Sequence, residues 1–243
     1  MNFICDFSHC AVNPKNSKGR FFHEDESTTR SPFQRDRDRI IHSTAFRRLK
    51  YKTQVFIYHE GDHYRTRLTH SLEVSQMARS VARCFQLNED LAETIALSHD
   101  LGHPPFGHAG EGALNAKMEP FGGFNHNDHT FKLITMLEKK YANFDGLNLT
   151  WETLEGIAKH NGPIKKATKK IKSIFHSIFN FDQKFDLMMN LFPSIEAQIA
   201  PITDDIAYNN HDLEDGLRSG LFTIQKFGSI PFVSELVKKH IKN

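Results

Sequence analysis

The stretch 89-EDLAETIALSHDLGHPPFGHAGE-111 carries the strongest structural signals of this 243-residue chain. Asn88 before it is a typical N-cap, two acidic residues open the first turn, and Gly102 follows the last apolar position. These signals predict a helix over 89–101. Two consecutive prolines then stop the helix and stiffen the chain, and a second helix is expected to begin near His108. The stretch therefore predicts two helices joined by a rigid, histidine-rich turn.

The rest of the sequence shows helical periodicity and predicts an all-α fold. Helices are predicted over 32–49, 69–85, 127–141 and 151–160. The segment 163–192 alternates Lys with Ile and Phe at helical spacing, and a last long helix is predicted from near Pro201 towards Gly216 or Gly220. The only plausible strand is 52-KTQVFIY-58, which could also be a loop. Residues 1–30 are polar and irregular and are expected to form an N-terminal arm.

The composition is that of a globular protein, with 39% hydrophobic and 25% charged residues and a net charge of +2. This composition excludes a disordered chain, and the small net charge is not that of a protein that coats nucleic acid. Cys5, Cys10 and Cys84 lack zinc-site spacing and cannot form a disulfide framework, so a reducing, cytoplasmic location is expected. No apolar run approaches membrane length, and no signal pattern opens the chain. The chain contains fifteen histidines, a high count. Histidine binds metals and transfers protons near neutral pH, and only the position of each residue can indicate whether it has such a role.

A mixed nitrogen and oxygen metal site is one interpretation of three separated segments. His99-Asp100 ends the helix over 89–101, His70 lies on an apolar helical stripe, and Thr203-Asp204-Asp205 follows far downstream. Two imidazoles and two carboxylates suit Mn²⁺, Fe²⁺, Zn²⁺, Ni²⁺ or Mg²⁺ with open positions for water. The alternative is a satisfied core histidine at 70 and a helix C-cap at 99–100. Spacing alone does not decide between the two.

The histidine-rich turn that follows His99 favours a catalytic role for this segment over a purely structural one. If a helix starts near His108, His108 and Glu111 are i, i+3 neighbours on one face. A carboxylate beside an imidazole holds its tautomer and raises its basicity, as a proton-transfer pair requires. A surface His–Glu pair in a structural turn is the alternative, but such a turn needs no three histidines.

Five sequence blocks together resemble one protein family. They are 31-SPFQRDRDRIIHSTAFRRLKYKTQVF-56, 65-RTRLTHSLEV-74, 98-SHDLGHPPFGHAGE-111, 124-FNHN-127 and 196-EAQIAPITDDIAYNNHDLEDGL-217. On these blocks the chain resembles the HD-domain deoxynucleoside triphosphate triphosphohydrolases, in particular the bacterial deoxyguanosine-triphosphatase-like group. The resemblance implies an all-α HD-domain helical bundle with a metal site between helices. It also implies a hydrolase of triphosphoric monoester bonds that converts dGTP or other dNTPs to a deoxynucleoside and inorganic triphosphate.

The resemblance implies one divalent metal ion, with Mn²⁺ or Mg²⁺ expected first and Fe²⁺, Ni²⁺, Co²⁺ or Zn²⁺ as alternatives. Its ligands fall on His70, His99, Asp100 and Asp204. Asp204 and Asp205 are hard to separate by sequence, although helical spacing favours Asp204, which shares a face with Tyr208 and Asp212. The opposite face of this helix is expected to pack in the core through Ile206, Leu213 and Leu217.

The remaining site residues are also implied by the resemblance. The catalytic group matches His108, Glu111 and His126, which would serve in-line attack of water on the α-phosphorus. Which histidine activates water and which protonates the 5′-oxygen stays open. The substrate-binding group matches Gln54, Arg67, His103, Tyr208 and Asp212. Tyr208 and Asp212 would contact the sugar and favour deoxyribonucleotides.

The resemblance also divides the chain and suggests partners. Residues 1–30 form the arm, 31–220 the catalytic core, and 221–243 the start of a C-terminal helical region that is shorter than in the family. A homo-oligomer, and an allosteric dNTP, are expected from family behaviour. Lysines at 165, 166, 169, 170 and 172 favour a solvated helix face, with weak single-stranded nucleic-acid binding as the alternative. Two other functions stay open: a truncated non-catalytic nucleotide or nucleic-acid binder, and an HD phosphohydrolase acting on another nucleotide phosphoester.

Overall fold

The computed structural model describes residues 6–57, 61, 63–165 and 168–240. Helices dominate these ranges, and the strand pairing found in them is limited to two isolated bridges, Arg20–Thr150 and Thr53–Thr66. The α-helices are α1 Pro32–Ile41, α2 Thr44–Arg48, α3 Arg67–Cys84, α4 Glu89–Ser98, α5 Gly107–Met118, α6 His126–Lys132, α7 Trp151–Lys159, α8 Lys169–Ile174, α9 His176–Asp182, α10 Ile195–Arg218, α11 Ile224–Phe227 and α12 Pro231–His240. The predicted all-α class is confirmed.

Several predicted helices are shorter than expected. The helix predicted over 32–49 breaks at His42, and Ser43 caps α2 by accepting a hydrogen bond from the Phe46 N–H. The helix predicted over 127–141 is α6 followed by a π-turn over Leu133–Leu137. The segment 163–192 forms two short helices, α8 and α9, which meet at Phe175.

Two further predictions differ in their bounds. The possible strand at 52–58 is a loop over its described part, with Thr53 in the isolated bridge, and Tyr58 lies outside the described residues. The long C-terminal helix, α10, begins before Pro201, at Ile195, because Ser194 caps it by accepting from the Ala197 N–H. Pro201 is therefore inside the helix, one turn before Asp204.

Small residues let α3, α4 and α10 approach one another closely. The shared core contains Val74, Ala78, Ala82, Leu91, Ala92, Ile95, Ala96, Ala197, Ala200 and Ala207. A second apolar cluster, which includes Phe131, Leu147 and Ile157, supports α6 and α7 from the other side. Gly156 of α7 lies so close to α4 that an added Cβ would sit 2.4 Å from Ile95 Cδ1. This packing places the end of α4 between the start of α3 and the middle of α10.

The described part of the N-terminal arm lies along the helical domain and is held by buried polar contacts. Arg20 forms a buried ion pair with Asp36 of α1, at 2.5 Å. The buried Glu196 carboxylate accepts from the Val12 and Asn88 N–H groups at 2.9 and 3.0 Å, which joins the arm to the start of α4. Of the helices in the described ranges, none is both long and apolar enough to span a membrane.

Candidate active site

Three helices bring the four predicted metal ligands together. Thr66 caps α3, which places His70 in its second turn, and α10 carries Asp204. His70 Nε2 lies 2.8 Å from Asp204 Oδ1. The His99 Nε2 atom lies 3.6 Å from the same oxygen and 3.5 Å from Asp100 Oδ1. The four side chains therefore converge on one point.

The end of α4 explains how two adjacent residues reach that point. The helix stops at Ser98, three residues earlier than predicted, so His99 and Asp100 lie in the turn that follows. Side chains of neighbouring residues in a helix point about 100° apart, and the turn removes this constraint. Asp205, the alternative ligand in the sequence, is exposed and does not join the group.

The unpaired Nε2 atom of His99 is the observation that tests whether a metal fits. This nitrogen is buried and has no hydrogen-bond partner among the described residues. The other ring nitrogen, Nδ1, lies 2.6 Å from the Ala96 carbonyl oxygen, to which an N–H there donates. The neutral ring then presents the lone pair of Nε2 to the carboxylates of Asp100 and Asp204. Two imidazole nitrogens and two carboxylate oxygens form a donor set that suits a divalent transition metal or Mg²⁺.

The electrostatics of this group favour a cation. Burial opposes protonation of His99, yet Asp100 and Asp204 outweigh it and raise the pKa of His99 to about 9. Burial also opposes ionisation of Asp100, but His99 and Arg67 hold the pKa of Asp100 well below its usual range. Arg67 forms a buried ion pair with Asp100. A positive charge, whether a proton or a metal ion, is therefore stabilised between these carboxylates.

A second group lies beside the first and contains His103, Glu111 and His126. Asn125 caps α6 and sets His126 at its first position. The Glu111 Oε1 atom accepts from the His126 backbone N–H at 2.9 Å and from the Nδ1–H at 2.8 Å. Burial would raise the pKa of Glu111, but these bonds from His126 lower it to about 2. Glu111 is thus a fixed carboxylate that orients the His126 ring.

His103 connects the two groups. Its ring stacks on His126 with centroids 3.9 Å apart, and its Nε2 lies 3.4 Å from Asp100 Oδ1. Burial lowers the pKa of His103 to about 3 against the attraction of Asp100. His103 is therefore neutral near pH 7, so it can hydrogen-bond but adds no charge.

The predicted His108–Glu111 pair is looser than the sequence suggested. His108 Nδ1 lies 3.6 Å from Glu111 Oε2, and the His108 side chain is 76% exposed. The physical reason is the start of α5: Phe106 adopts a left-handed conformation, with φ of 65°, and the helix begins at Gly107. His108 then sits in the first turn at the mouth of the site, while Glu111 turns inwards to His126.

Both groups border a single cleft of about 440 Å³. Nine of the predicted site residues line it: Gln54, Arg67, His99, Asp100, His103, His108, His126, Asp204 and Tyr208. The other three stand directly behind the wall. His70 is fully buried, Glu111 holds His126, and Asp212 accepts a hydrogen bond from Tyr208. The structure therefore brings all twelve predicted residues to one place.

The core-packing face of α10 differs from the one predicted. Ile206 is exposed, and Leu213 and Leu217 are only partly buried. The buried stripe instead runs through Thr203, Ala207, His211 and Asp215. Thr203 and Ala207 are small and lie where α10 packs closely on α3 and α4, while His211 bonds to His70 of α3 and Asp215 pairs with Arg65 just before α3.

Several residues at the site were not singled out from the sequence. Phe106, His160 and Asn161 also line the cleft, and His211 lies behind His70. His211 follows Asp204 by seven residues, so helical periodicity places it on the inner side of α10. A histidine at that spacing from a candidate ligand was the available signal. No comparable signal marks Phe106, because its backbone conformation is unusual for a non-glycine residue.

Comparison with known proteins shows which family the chain resembles. A family model described as HD domain matches residues 67–209. A deoxyguanosinetriphosphate triphosphohydrolase-like protein of Parvibaculum lavamentivorans is 59% identical over 229 residues, which are 94% of this chain and 58% of that protein. Proteins described in the same words from Bartonella henselae and Brucella ovis are 61% and 59% identical over 93% of this chain. The chain spans 57–58% of the length of these relatives.

Proposed function

The chain belongs to the HD-domain family, and on this premise we propose that it is a metal-dependent dNTP triphosphohydrolase. It would convert dGTP or another dNTP to a deoxynucleoside and inorganic triphosphate. One observation carries the proposal: the set His70, His99, Asp100 and Asp204 lies beside the Glu111–His126 pair at one cleft. The names of the relatives point to the same reaction.

The proposed metal site would be held by His70, His99, Asp100 and Asp204. A divalent ion bound there would act as a Lewis acid on a phosphoryl oxygen and make a nearby water more acidic. Mn²⁺ and Mg²⁺ are the ions we propose first, because carboxylate ligands and open positions suit both. The same donor set also accepts Fe²⁺, Co²⁺, Ni²⁺ or Zn²⁺.

Arg67 and His103 supply the groups that would bind the α-phosphate. The Arg67 guanidinium is buried at the cleft wall and held by Asp100, so it presents a fixed positive charge. His103 is neutral and lies between Asp100 and His126, where it can donate one hydrogen bond to a phosphate oxygen. Preorganised donors of this kind stabilise the charge that develops on phosphoryl oxygens.

Two proton transfers accompany hydrolysis: the attacking water loses one proton, and the departing 5′-oxygen gains one. Among the imidazoles at the cleft, we assign these transfers to His126 and His108. Glu111 fixes the tautomer of His126. The Nδ1–H group donates to Glu111, so Nε2 is the ring nitrogen left to exchange a proton with the substrate or water. His108 lies at the mouth, where it can reach a substrate that enters from solvent.

The sugar would lie against α10. Tyr208 lines the cleft one turn beyond Asp204, and its hydroxyl bonds to Asp212. A tyrosine ring packed against C2′ leaves no room for a 2′-hydroxyl, while Asp212 can accept from the 3′-hydroxyl. Gln54 lines the cleft, and its Oε1 is buried without a hydrogen-bond partner among the described residues, so we propose that it contacts the base or sugar.

The expected partners stay predictions. Lys165, Lys169, Lys170 and Lys172 are exposed, which fits a solvated face as well as weak single-stranded nucleic-acid binding, and Lys166 lies outside the described residues. Homo-oligomerisation and an allosteric dNTP rest on the resemblance.

Product analysis tests the proposed function. The purified chain, incubated with each dNTP and Mn²⁺, should release deoxynucleoside and triphosphate, and His70→Ala should abolish the release. Asn210→Ala on the solvent face of α10 is the matched control. Absence of product from every dNTP, although electron paramagnetic resonance (EPR) shows Mn²⁺ bound, would contradict the proposal. Monophosphate release would indicate another phosphohydrolase, and salt-sensitive strand binding without hydrolysis a nucleic-acid binder.

A further inference from the structure

A chain of hydrogen-bonding side chains runs away from the proposed metal site behind His70. His70 Nδ1 lies 3.2 Å from Nδ1 of His211 on α10. The other ring nitrogen of His211, Nε2, lies 2.8 Å from Glu73 Oε2. His70 is fully buried and His211 is 7% exposed, so water competes little for these nitrogens.

With a metal ion bound at His70 Nε2, counting protons fixes the direction of every bond in this chain. His70 Nε2 faces Asp204, so as a metal ligand it must present a lone pair and the ring proton must be on Nδ1. Two facing Nδ1 atoms can share only one proton, so His211 Nδ1 must accept. The proton of a neutral His211 is then on Nε2, from which it donates to Glu73. The geometry is consistent with one tautomer of each ring.

Arg65 anchors the far end of the chain. Its Nε donates to Glu73 Oε2 at 3.0 Å, and its two terminal nitrogens reach Asp215 Oδ1 at 3.0 Å and Glu214 Oε2 at 2.6 Å. Arg65 thus ties Glu73 of α3 to the end of α10. The acceptor at the end of the chain is held by ion pairs, so it keeps His211 in place.

We propose that His211 is a positioning residue that fixes the tautomer and ring plane of His70 as a metal ligand, with Glu73 as the terminal acceptor. The inference rests on the proposed function, because it assumes that His70 binds a metal. Residues that hydrogen-bond to metal-ligating histidines change metal affinity by about 10- to 100-fold when removed. His211 would act without touching metal or substrate.

Two substitutions at one position separate a hydrogen-bonding role from a packing role. His211→Asn keeps an acceptor near the position of Nδ1 but loses volume. His211→Leu keeps most of the volume but offers no acceptor. Asn210→Ala, next to His211 but on the solvent face, is the matched control, since its side chain donates to the Ile206 carbonyl of its own helix.

The first measurement is Mn²⁺ affinity by EPR, with thermal unfolding followed in parallel by circular dichroism. We expect His211→Leu to weaken Mn²⁺ binding by about 10- to 100-fold and His211→Asn to stay within about threefold of the wild type. Equal affinity in the wild type and His211→Leu, or a larger loss in His211→Asn, would overturn the inference. If His211→Leu does not fold, Glu73→Leu at the partly exposed end of the chain replaces it, with the same expected direction and the same criterion.

The second measurement reads the tautomers directly. In ¹⁵N-histidine-labelled, Zn²⁺-loaded protein, long-range ¹H–¹⁵N correlation should show His70 protonated on Nδ1 and His211 on Nε2. His211 protonated on Nδ1 would overturn the inference even if the affinities agree. If the wild-type chain binds neither ion, the metal site itself fails, whereas tight wild-type binding unaffected at position 211 refutes only the role of His211.

Discussion

Glu111 pairs with His126, fifteen residues away, and holds it by two hydrogen bonds of 2.8 and 2.9 Å. His108, its neighbour on the same helix, stays 3.6 Å from the carboxylate. The two bonds to His126 come from its ring and its backbone, so they fix both the ring orientation and the start of α6. The carboxylate therefore joins α5 to α6 across the cleft and is more than a local partner of its own helix.

This relationship predicts that Glu111 and His126 act as one unit in hydrolysis. Glu111→Gln and His126→Asn should each lower kcat by about 10²- to 10⁴-fold, because either change removes the oriented imidazole. The double variant should be little worse than the poorer single variant, since residues that act together are not additive. The measurement is triphosphate release at saturating dNTP.

His108→Asn in the Glu111→Gln background is the comparison for that experiment. If His108 works separately, its effect should add fully to that of Glu111→Gln. Coupling between Glu111 and His108, with none between Glu111 and His126, would instead favour the pair that the sequence suggested.

Measurements of metal binding should distinguish the roles of Asp204 and Asp205, the two adjacent carboxylates on α10. Asp204→Asn should remove Mn²⁺ binding and hydrolysis together, because Asp204 Oδ1 lies beside both ligand histidines. Asp205→Asn changes the same chemistry at an exposed position and should leave both unchanged. EPR titration of Mn²⁺, followed by recovery of activity after chelation and metal readdition, measures the difference. Loss of binding in Asp205→Asn alone would show that the ligand had been assigned to the wrong aspartate.

Much of this site could be predicted because polar, ionisable residues occur at positions where the helical pattern would favour apolar residues or a helix end. His70 on an apolar stripe and His99-Asp100 at a helix end are both costly unless they are paired or ligating. The resemblance to a known family then supplied the roles of the twelve residues, which the structure places together. Spacing could not show which carboxylate meets which histidine across different helices.

The parts that sequence missed depend on contacts between distant segments. The middle of the inner face of α10 holds Thr203, Ala207 and His211, because the two small residues allow close packing on α3 and α4 and His211 bonds to His70. The helix end at His42 was missed because Ser43 caps the next helix, and such local capping competes with apolar periodicity. The left-handed Phe106 leaves no signature, since most residues with this conformation are Gly, Asn or Asp.

Tyr208 should control discrimination between deoxyribo- and ribonucleotides. Tyr208→Ala removes the ring from the cleft wall and should lower the ratio of kcat/KM for dGTP over GTP by about tenfold or more. Tyr208→Phe keeps the ring but loses the hydroxyl that bonds to Asp212, so it should largely keep the ratio. Steady-state kinetics with both nucleotides measure this ratio. Equal ratios in Tyr208→Ala and the wild type would move sugar selection elsewhere in the cleft.

His160 should make the fold less stable in acid. Its Nδ1 lies 2.8 Å from the Ile157 carbonyl oxygen and its Nε2 lies 3.1 Å from Asn161 Nδ2, so the neutral ring satisfies both bonds. Burial lowers the pKa of His160 from 6.5 to about 4. Between these values the unfolded chain binds a proton that the folded chain does not. The stability contributed by His160 is therefore complete above pH 6.5 and is lost as the pH falls towards 4.

The variant His160→Asn removes this titration and keeps a donor for Ile157. Urea unfolding in the presence of EDTA should show the wild type losing up to about 1.4 kcal/mol more per pH unit than the variant over this interval. The exposed His176→Asn is the matched control and should follow the wild type. Parallel profiles for wild type and His160→Asn would show that His160 is not held neutral.

Gly102 should be required for the close approach of the turn that carries His99 and Asp100 to α6, which carries His126. A Cβ at this position would lie 2.2 Å from the His126 carbonyl oxygen and 2.3 Å from the Thr130 backbone nitrogen, which cannot move without moving α6. The Gly102 N–H donates to Thr130 Oγ1 at 2.9 Å, and that hydroxyl lies 3.3 Å from the His99 carbonyl oxygen. The turn that carries His99 and Asp100 is thus held directly against the helix that carries His126.

Gly102→Ala should therefore lower the free energy of unfolding by about 1–3 kcal/mol and impair hydrolysis, because α6 must shift away from the turn. Gly112→Ala in the middle of α5 is the matched control, since among the described residues no atom outside the local backbone of α5 and the two chain neighbours lies within 4 Å of its added Cβ. That substitution should raise the free energy of unfolding by about 0.5–1 kcal/mol. Urea unfolding and kcat for both variants provide the comparison. A Gly102→Ala protein with wild-type stability and kcat would show that α6 can move without disturbing His126.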